Sequence, residues 1–268
     1  MRVEDNIEKV VEALSMERIL GIEDVSIQIG QRMLMKGVSF DISEGEAVLL
    51  SGANGIGKST LLKSILRLDM DGKKISGKII NRGYGDILGL NNTDIQKYRS
   101  SIAYIQQRDD YAEMGNVQVR DIISESGEAF SGGSLSYSEV NDLIDEWIPR
   151  REDNSRVFDA KSKPARFSGG EQRLLSVLSI IATRSNAELM IIDEPLNNLD
   201  FVNARNISNL INKVIHKNSK MGLLMISHCR IFPFITREIK LTPEGVQEVK
   251  DRYVCHSCFG ETDENGYY

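Results

Sequence analysis

The strongest structural signal in this sequence is the segment Gly52–Thr60, GANGIGKST, which fits the pattern G-x-x-x-x-G-K-[ST]. A short apolar run, Ala47–Leu50, precedes it, and a helix-like stretch, Leu61–Leu66, follows it. A continuous apolar run of this length is typical of a strand that is buried on both faces. The three segments therefore predict a strand, a phosphate-binding loop and a helix at the entry to an α/β layer.

Each residue type in this segment suits the binding of a nucleoside triphosphate. Glycines permit a tight loop whose N–H groups point at β-phosphate oxygens, and the N-terminus of the following helix adds its dipole. Lys58 is expected to bridge the β- and γ-phosphates, and the Ser59 hydroxyl is expected to bind Mg²⁺. The candidate nucleotide-binding residues of this loop are Gly52, Asn54, Gly55, Gly57, Lys58, Ser59 and Thr60.

The rest of the chain predicts a mixed sheet. Apolar and polar residues alternate between residues 19 and 42, which indicates antiparallel strands. Two further apolar runs, Leu189–Ile192 and Leu223–Ile226, are separated by a helical stretch around residues 203–215, as parallel strands with a crossover require. A hairpin turn is predicted at Thr242–Gly245. Active groups should gather where the parallel strands end.

Two adjacent acids end one of these runs. Asp193 and Glu194 follow the apolar run Leu189–Ile192 directly. Asp193 is expected to hold the Mg²⁺ shell, and Glu194, one residue further on, to polarise the water that attacks the γ-phosphate.

Composition narrows the choice of partners and location. The formal charge of −6 disfavours a nucleic-acid partner, so none is expected. No apolar run reaches the ~18 residues of a membrane-spanning helix, and the acidic start lacks a secretory signal, so a cytoplasmic location is expected. Three cysteines suit a reducing compartment. The pair Cys255 and Cys258 has metal-like spacing but lacks a second pair, so ordinary surface cysteines are favoured over zinc or redox roles.

Four further segments appear in an order that resembles the ATP-binding-cassette family. Phe167–Arg173, FSGGEQR, is similar to the family signature L-S-G-G-Q, with Phe167 for Leu and Glu171 for Gln. Ile102–Gln107 resembles the strand that leads into the Q-loop, whose glutamine aligns best with Gln107, although the adjacent Gln106 is an alternative. The segments Leu196–Asp200 and Ile226–His228 resemble the D-loop and the switch histidine. The resemblance covers residues 19–249.

The resemblance implies a P-loop NTPase fold: an ATPase domain at residues 19–250, with N-terminal antiparallel strands, a mixed-sheet core and a helical subdomain inserted at about residues 109–180. It also implies a head-to-tail homo- or heterodimer with ATP between the loop of one subunit and Ser168, Gly169 and Gly170 of the other. Glu194 would activate water, His228 would steady the γ-phosphate, and Gln107 would sense Mg²⁺ and water. Ser59, Gln107 and Asp193 would form the metal site.

The function that follows from this resemblance is an ATP-hydrolysing transporter subunit. It would drive separate membrane-spanning permease subunits from the inner face of the cell membrane. The alternative is a soluble cassette ATPase that acts as a clamp or scaffold. The motifs specify neither the cargo nor the direction of transport, because selectivity belongs to the membrane subunits.

Three regions depart from this pattern. Family members commonly carry an aromatic residue that stacks on adenine, and Ile29 aligns with that position, so weak discrimination between ATP and GTP is expected. Residues 1–18 have the apolar spacing of an amphipathic helix, which would dock on its own domain or on a partner. Residues 251–268 are expected to form a loose tail.

Overall fold

Two sheets organise the chain in the computed structural model, which describes residues 17–107, 111–124, 135–184, 186–197, 199–228 and 232–249. The predicted N-terminal amphipathic helix, the C-terminal tail and the cysteine pair lie outside the described residues, apart from residues 17 and 18. The smaller sheet is antiparallel and has the strand order β2-β1-β4-β5. Its strands are β1 (Arg18–Ile29), β2 (Arg32–Ser43), β4 (Lys73–Asn81) and β5 (Gly85–Asp86).

The larger sheet is mixed, as the sequence predicts, with the order β10-β9-β3-β8-β7-β6. Strand β3 pairs in parallel with β8 and β9, and β7 pairs in parallel with β8 and β6, whereas β10 is antiparallel to β9. The strands are β3 (Ala47–Ser51), β6 (Ile102–Ile105), β7 (Leu189–Asp193), β8 (Gly222–Ile226), β9 (Arg237–Thr242) and β10 (Gly245–Glu248). Strands β3, β7 and β8 are buried along their whole length.

In the described ranges, six helices accompany the sheets. They are α1 (Lys58–Ile65), α2 (Asn92–Ser100), α3 (described over 119–124), α4 (Tyr137–Trp147), α5 (Gly169–Arg184) and α6 (Phe201–Lys217). Short 3₁₀ turns lie at Ile87–Gly89, Ala112–Met114 and Pro164–Arg166. Helices α1 and α6 confirm the helical segments predicted at Leu61–Leu66 and around residues 203–215. No strand occurs between residues 111 and 124 or 135 and 184, which agrees with the predicted helical character of this region.

Two hydrophobic clusters cover opposite faces of the larger sheet, because side chains alternate between faces along each strand. Val48 and Leu50 of β3 join the cluster that contains the smaller sheet, α1 and α2. Ala47 and Leu49 join the cluster that contains α3, α4, α5 and α6. The larger sheet is therefore the middle layer of the molecule. In the described part of the chain, no helix has the length and hydropathy of a membrane span.

The parallel strands end at one edge of this layer. Leu50 of β3 and Asp193 of β7 both register with Ile226, the last residue of β8, and Ile105 of β6 registers with Ile192. The segments that follow these four strands therefore start side by side. They are the loop from Gly52, the Gln106-Gln107 pair, Glu194 and the Ser227-His228 pair.

Candidate active site

A cleft of about 520 Å³ opens at this edge of the larger sheet. Its lining brings together the predicted residues of the loop, the end of β6, the end of β7 and the end of β8. The lining residues are Ile29, Leu34, Asn54, Gly55, Gly57, Lys58, Ser59, Thr60, Gln107, Glu194, Asn197 and His228. Residues 134 positions apart, such as Ser59 and Asp193, are hydrogen-bonded here.

The loop between β3 and α1 needs glycine at two of its positions. Gly52 has φ of +142°, and a Cβ there would lie 2.7 Å from the Leu241 carbonyl oxygen. Gly57 has φ of +106°, and a Cβ there would lie 2.8 Å from the Leu34 side chain. L-residues other than glycine rarely adopt such backbone angles. Because both positions are glycine, the chain can pass close to Leu241 and Leu34, turn, and enter α1.

Helix α1 offers its N-terminus to an anion. Gly57 precedes the helix without a side-chain cap, and the first turn holds no acidic residue. The first N–H groups of a helix have no partner within the helix, and the dipole makes that end positive. The residues present therefore fit a phosphate chain.

Lys58 lies beside this N-terminus and is buried. Its Nζ donates to the carbonyl oxygens of Gly52 at 2.9 Å and Ala53 at 3.1 Å, so it spans the loop. Burial lowers the pKa of Lys58, and the charges of Glu194 and Asp193 oppose that shift. A cation held this way stands ready to exchange carbonyl partners for phosphate oxygens.

Ser59 and Asp193 form the neighbouring oxygen pair. The Ser59 hydroxyl donates to Oδ1 of Asp193 at 3.2 Å. Burial raises the pKa of Asp193; the bond from Ser59 opposes that shift, and the Glu194 charge adds to it. A hydroxyl beside a carboxylate is a hard oxygen donor set, which fits Mg²⁺. In the described part of the chain, no group of three or more His, Cys, Asp or Glu side chains is placed so that it could hold a metal ion.

Glu194 receives donors on both carboxylate oxygens. Its Oε1 lies 3.1 Å from Nε2 of His228. Its Oε2 accepts from the side-chain amides of Asn197 at 3.0 Å and Gln107 at 3.4 Å. These three side chains surround a carboxylate that lines the cleft, and two of them, Asn197 and Gln107, donate to it. Gln106 instead contributes its backbone carbonyl, which accepts from Arg173, so Gln107 is the glutamine of the pair that reaches the site.

Asn197 lines the cleft, but the sequence predicts no role for it beyond its place in the segment Leu196–Asp200. Glu194 has φ of +47°, and its carbonyl oxygen accepts from the Asn197 N–H in the turn that follows β7. That turn brings the Asn197 amide back onto the Glu194 carboxylate. An amide three residues after a strand-end acid is the only sequence signal for this contact.

The Ser168-Gly169-Gly170 segment does not line the cleft. Ser168 lies at the start of α5, where its hydroxyl accepts from the Glu171 N–H at 3.3 Å and its own N–H donates to Oε2 of Glu171 at 2.9 Å. This is a reciprocal capping arrangement. Arg151 holds the other oxygen of Glu171 at 2.7 Å. The segment is therefore an ordered helix N-terminus elsewhere on the same chain.

The side of the cleft that β1 and β2 form is lined by aliphatic side chains. Ile29, with 42% of its surface exposed, and Leu34 line the cleft there. None of the twelve lining residues is Phe, Tyr or Trp. A base bound against this edge would meet aliphatic side chains and not an aromatic ring.

The fold and the cleft define a nucleoside triphosphatase with a phosphate-binding loop between a buried strand and a helix. The family model described as ABC transporter matches residues 35–197. The chain belongs to the ABC transporter family, and it is an ATP-binding, ATP-hydrolysing subunit of that family.

Curated relatives agree with this assignment. The energy-coupling factor transporter ATP-binding protein of Enterococcus faecalis is 30% identical, over 80% of this chain and 73% of its own length. The oligopeptide transport ATP-binding protein of Lactococcus lactis is 28% identical, over 80% of this chain and 67% of its own length. The lipoprotein-releasing system ATP-binding protein of Leptospira interrogans is 27% identical, over 87% of this chain and 92% of its own length.

Solved structures show the same fold. An ATP-binding subunit of an ABC transporter superposes with a TM-score of 0.65 at 23% identity, covering 89% of this chain and 91% of that one. A dimeric post-hydrolysis cassette bound to ADP and Pi superposes with a TM-score of 0.65 at 22% identity, covering 87% of this chain and 98% of that one. The predicted α/β cassette fold is confirmed.

Proposed function

We propose that this chain hydrolyses ATP at an interface between two cassette subunits, and that Glu194 is the general base. The observation that supports this proposal is the convergence of Lys58, Ser59, Glu194 and His228 on one cleft, with the Ser168 segment outside it. The cleft of one chain would thus supply the phosphate site and the base, and the second anion-binding helix N-terminus would come from the Ser168 segment of a second subunit.

The loop residues would bind the triphosphate. Gly52, Gly55 and Gly57 shape the loop, Asn54 and Thr60 line its cleft, and the uncapped start of α1 would face the phosphates. Lys58 would transfer its donors from the two loop carbonyls to phosphate oxygens. Ser59, Asp193 and Gln107 would hold Mg²⁺, which supplies charge neutralisation at the β- and γ-phosphates.

Glu194 would take the proton of the attacking water. A carboxylate that accepts from the amides of Asn197 and Gln107 and lies 3.1 Å from Nε2 of His228 keeps one orientation toward the cleft. Water attack then forms a bond to the γ-phosphorus and breaks its bond to ADP, and the water proton passes to Glu194. His228 is half exposed, lies beside this carboxylate and lines the cleft, where it would contact the γ-phosphate.

A second subunit would complete the site. Ser168, Gly169 and Gly170 begin helix α5, whose N-terminus is a second positive end for an anion. Only a nucleotide with a γ-phosphate would reach both subunits, so hydrolysis would release the closed pair. The dimeric cassette with ADP and Pi supplies the fold precedent for this arrangement.

The permease partners and location follow from the same assignment. We propose that the subunit acts on separate membrane-spanning subunits at the inner face of the membrane. The relatives' names give different cargoes, including oligopeptide, methionine and phosphate, so cargo selection would belong to the membrane subunits. Residues 19–250 would form the ATPase domain, and the helices at about 109–180 would form a subdomain that contacts the permease. Recovery with membrane proteins from the native host supports this, and a persistently membrane-free complex would support the clamp instead.

The substitution Glu194→Gln tests the catalytic assignment. It keeps the shape of the side chain and removes the base, so ATP turnover should fall by about 100-fold or more while ATP binding persists. The matched control is Glu188→Gln. Glu188 lies before the same strand, at its other end, and its exposed ion pair with Arg82 contributes little. Unchanged turnover in Glu194→Gln would remove Glu194 from the catalytic role.

A further inference from the structure

Arg173 is a buried arginine on helix α5, one turn after the Ser168 segment. Its guanidinium donates to three backbone carbonyls from two other segments. Nε donates to the Pro195 oxygen at 3.0 Å, Nη2 to the Asp193 oxygen at 3.5 Å, and Nη1 to the Gln106 oxygen. One side chain thus joins α5, the end of β6 and the turn after β7.

The three carbonyls have a common relation to the site. The Gln106 carbonyl belongs to the peptide that leads into Gln107. The Asp193 and Pro195 carbonyls flank Glu194 on either side. Arg173 therefore holds the backbone from which both Gln107 and Glu194 project, although it does not line the cleft itself.

The backbone conformation of Glu194 explains what the hydrogen bonds of Arg173 do. Its φ of +47° is a left-handed backbone angle, which is unfavourable for a residue with a side chain and persists where the surroundings fix it. The Glu194 N–H donates to the Ile226 oxygen at 2.9 Å, and Arg173 fixes the carbonyls before and after the residue. A planar guanidinium can reach several carbonyls at once, whereas an ammonium is a single point of charge.

We propose that Arg173 is a positioning residue for ATP hydrolysis, which sets the backbone of Glu194 and Gln107 through these carbonyls. The inference rests on the proposed catalytic roles of those two residues. It also places the residue that orients the catalytic carboxylate on the same helix whose first turn we assign to the nucleotide of the partner.

The test compares Arg173→Lys with Arg184→Lys. Arg184 lies on the same helix and donates to the Ile102 carbonyl at 2.7 Å, at the opposite end of β6 from the site. Both substitutions keep the charge and lose the planar fork. We expect Arg173→Lys to lower kcat at least about tenfold, since small displacements of catalytic groups are costly, with KM for ATP changing less than about twofold. Arg184→Lys should leave kcat within about twofold.

A double-substitution cycle separates positioning from general support of the fold. If Arg173 acts through Gln107, the loss of kcat in the Arg173→Lys, Gln107→Ala variant should be smaller than the product of the two single losses. Independent, multiplicative losses overturn the proposal, as does equal kcat in Arg173→Lys and Arg184→Lys. Binding of trinitrophenyl-ATP should be unchanged in both lysine variants. Full turnover in Glu194→Gln would instead overturn the proposed catalytic site, whatever the result at Arg173.

Discussion

At the scale of single residues, the burial of the Asp193 carboxylate lowers the stability of the folded protein, although Asp193 is proposed to hold Mg²⁺. Its carboxylate is buried beside Glu194, and burial raises its pKa. The folded state therefore binds the Asp193 proton more tightly than the unfolded chain does. The resulting contribution to stability is present below the unfolded pKa and is lost as pH rises through the folded pKa. Above the unfolded pKa, an acidic side chain at this buried position therefore lowers the free energy of unfolding, by an amount that grows with pH until the folded pKa is passed.

The substitution Asp193→Asn should consequently stabilise the protein while it abolishes turnover. At pH 7.5, without nucleotide and with EDTA, Tm should rise, because the neutral amide avoids the desolvation cost of the buried carboxylate. The gain should shrink as pH falls through the folded pKa and vanish below the unfolded pKa of ~3.9, where Asp193 is protonated in both states. Thermal unfolding across this pH range measures it. Asp142→Asn, at an exposed position of α4, is the control; a lower Tm for Asp193→Asn at pH 7.5 contradicts the argument.

Ile29 would set the character of the proposed nucleobase contact. Aliphatic side chains do not distinguish the base edges that separate adenine from guanine, so the affinities for ATP and GTP should differ by less than about 100-fold, or 2.7 kcal/mol. The substitution Ile29→Tyr supplies an aromatic face and should tighten ATP binding about fivefold or more, since stacking on a base contributes ~1–3 kcal/mol. Titration with both nucleotides measures both quantities.

The matched control for that substitution is Met33→Tyr. Met33 registers with Gln28, the neighbour of Ile29, and so lies on the opposite face of the smaller sheet. A tyrosine there should leave both affinities unchanged. Equal tightening by the two variants would show that the effect does not come from the cleft.

At the scale of elements, the strands that can be predicted from the sequence are those that consist of continuous apolar runs. Strands β3, β7 and β8 are buried throughout, and their runs identify them without tertiary information. The motifs at their ends then predict which side chains meet, since parallel strands end at one edge. The loop, Gln107, Glu194 and His228 do meet there.

Other elements carry too little local signal. Strand β4, KKISGKIIN, is mostly exposed or half-buried, and its pairing with β1 depends on residues about 50 positions away. Helix α2 has nine residues and buries only Ile95 and Tyr98, which is too few for a helical period to stand out. The contacts of Arg173 and Asn197 are tertiary, because they depend on where carbonyls and carboxylates of other turns lie. Sequence patterns do not encode such distances.

At the scale of the whole molecule, the two halves of the proposed nucleotide site lie apart on one chain. The cleft contains the phosphate-binding loop and the proposed base, Glu194, whereas Ser168 caps α5 outside it. A site assembled across a two-fold pair would use each half once, so each pair would contain two equivalent sites. This geometry makes a specific prediction for mixtures of inactive variants.

Lys58→Ala removes the lysine that is proposed to bind the phosphates. Ser168→Arg would block the contact between α5 and the nucleotide in the second subunit, so each variant alone should be inactive. When both are mixed and allowed to exchange, half of the random pairs are mixed, and each mixed pair has one intact site. ATP turnover should return to about a quarter of the wild-type value. Mixing Lys58→Ala with the Lys58→Ala, Ser168→Arg double variant should restore none, because no intact site forms. A mixture of folded single variants that stays inactive would contradict assembly of the site from two copies.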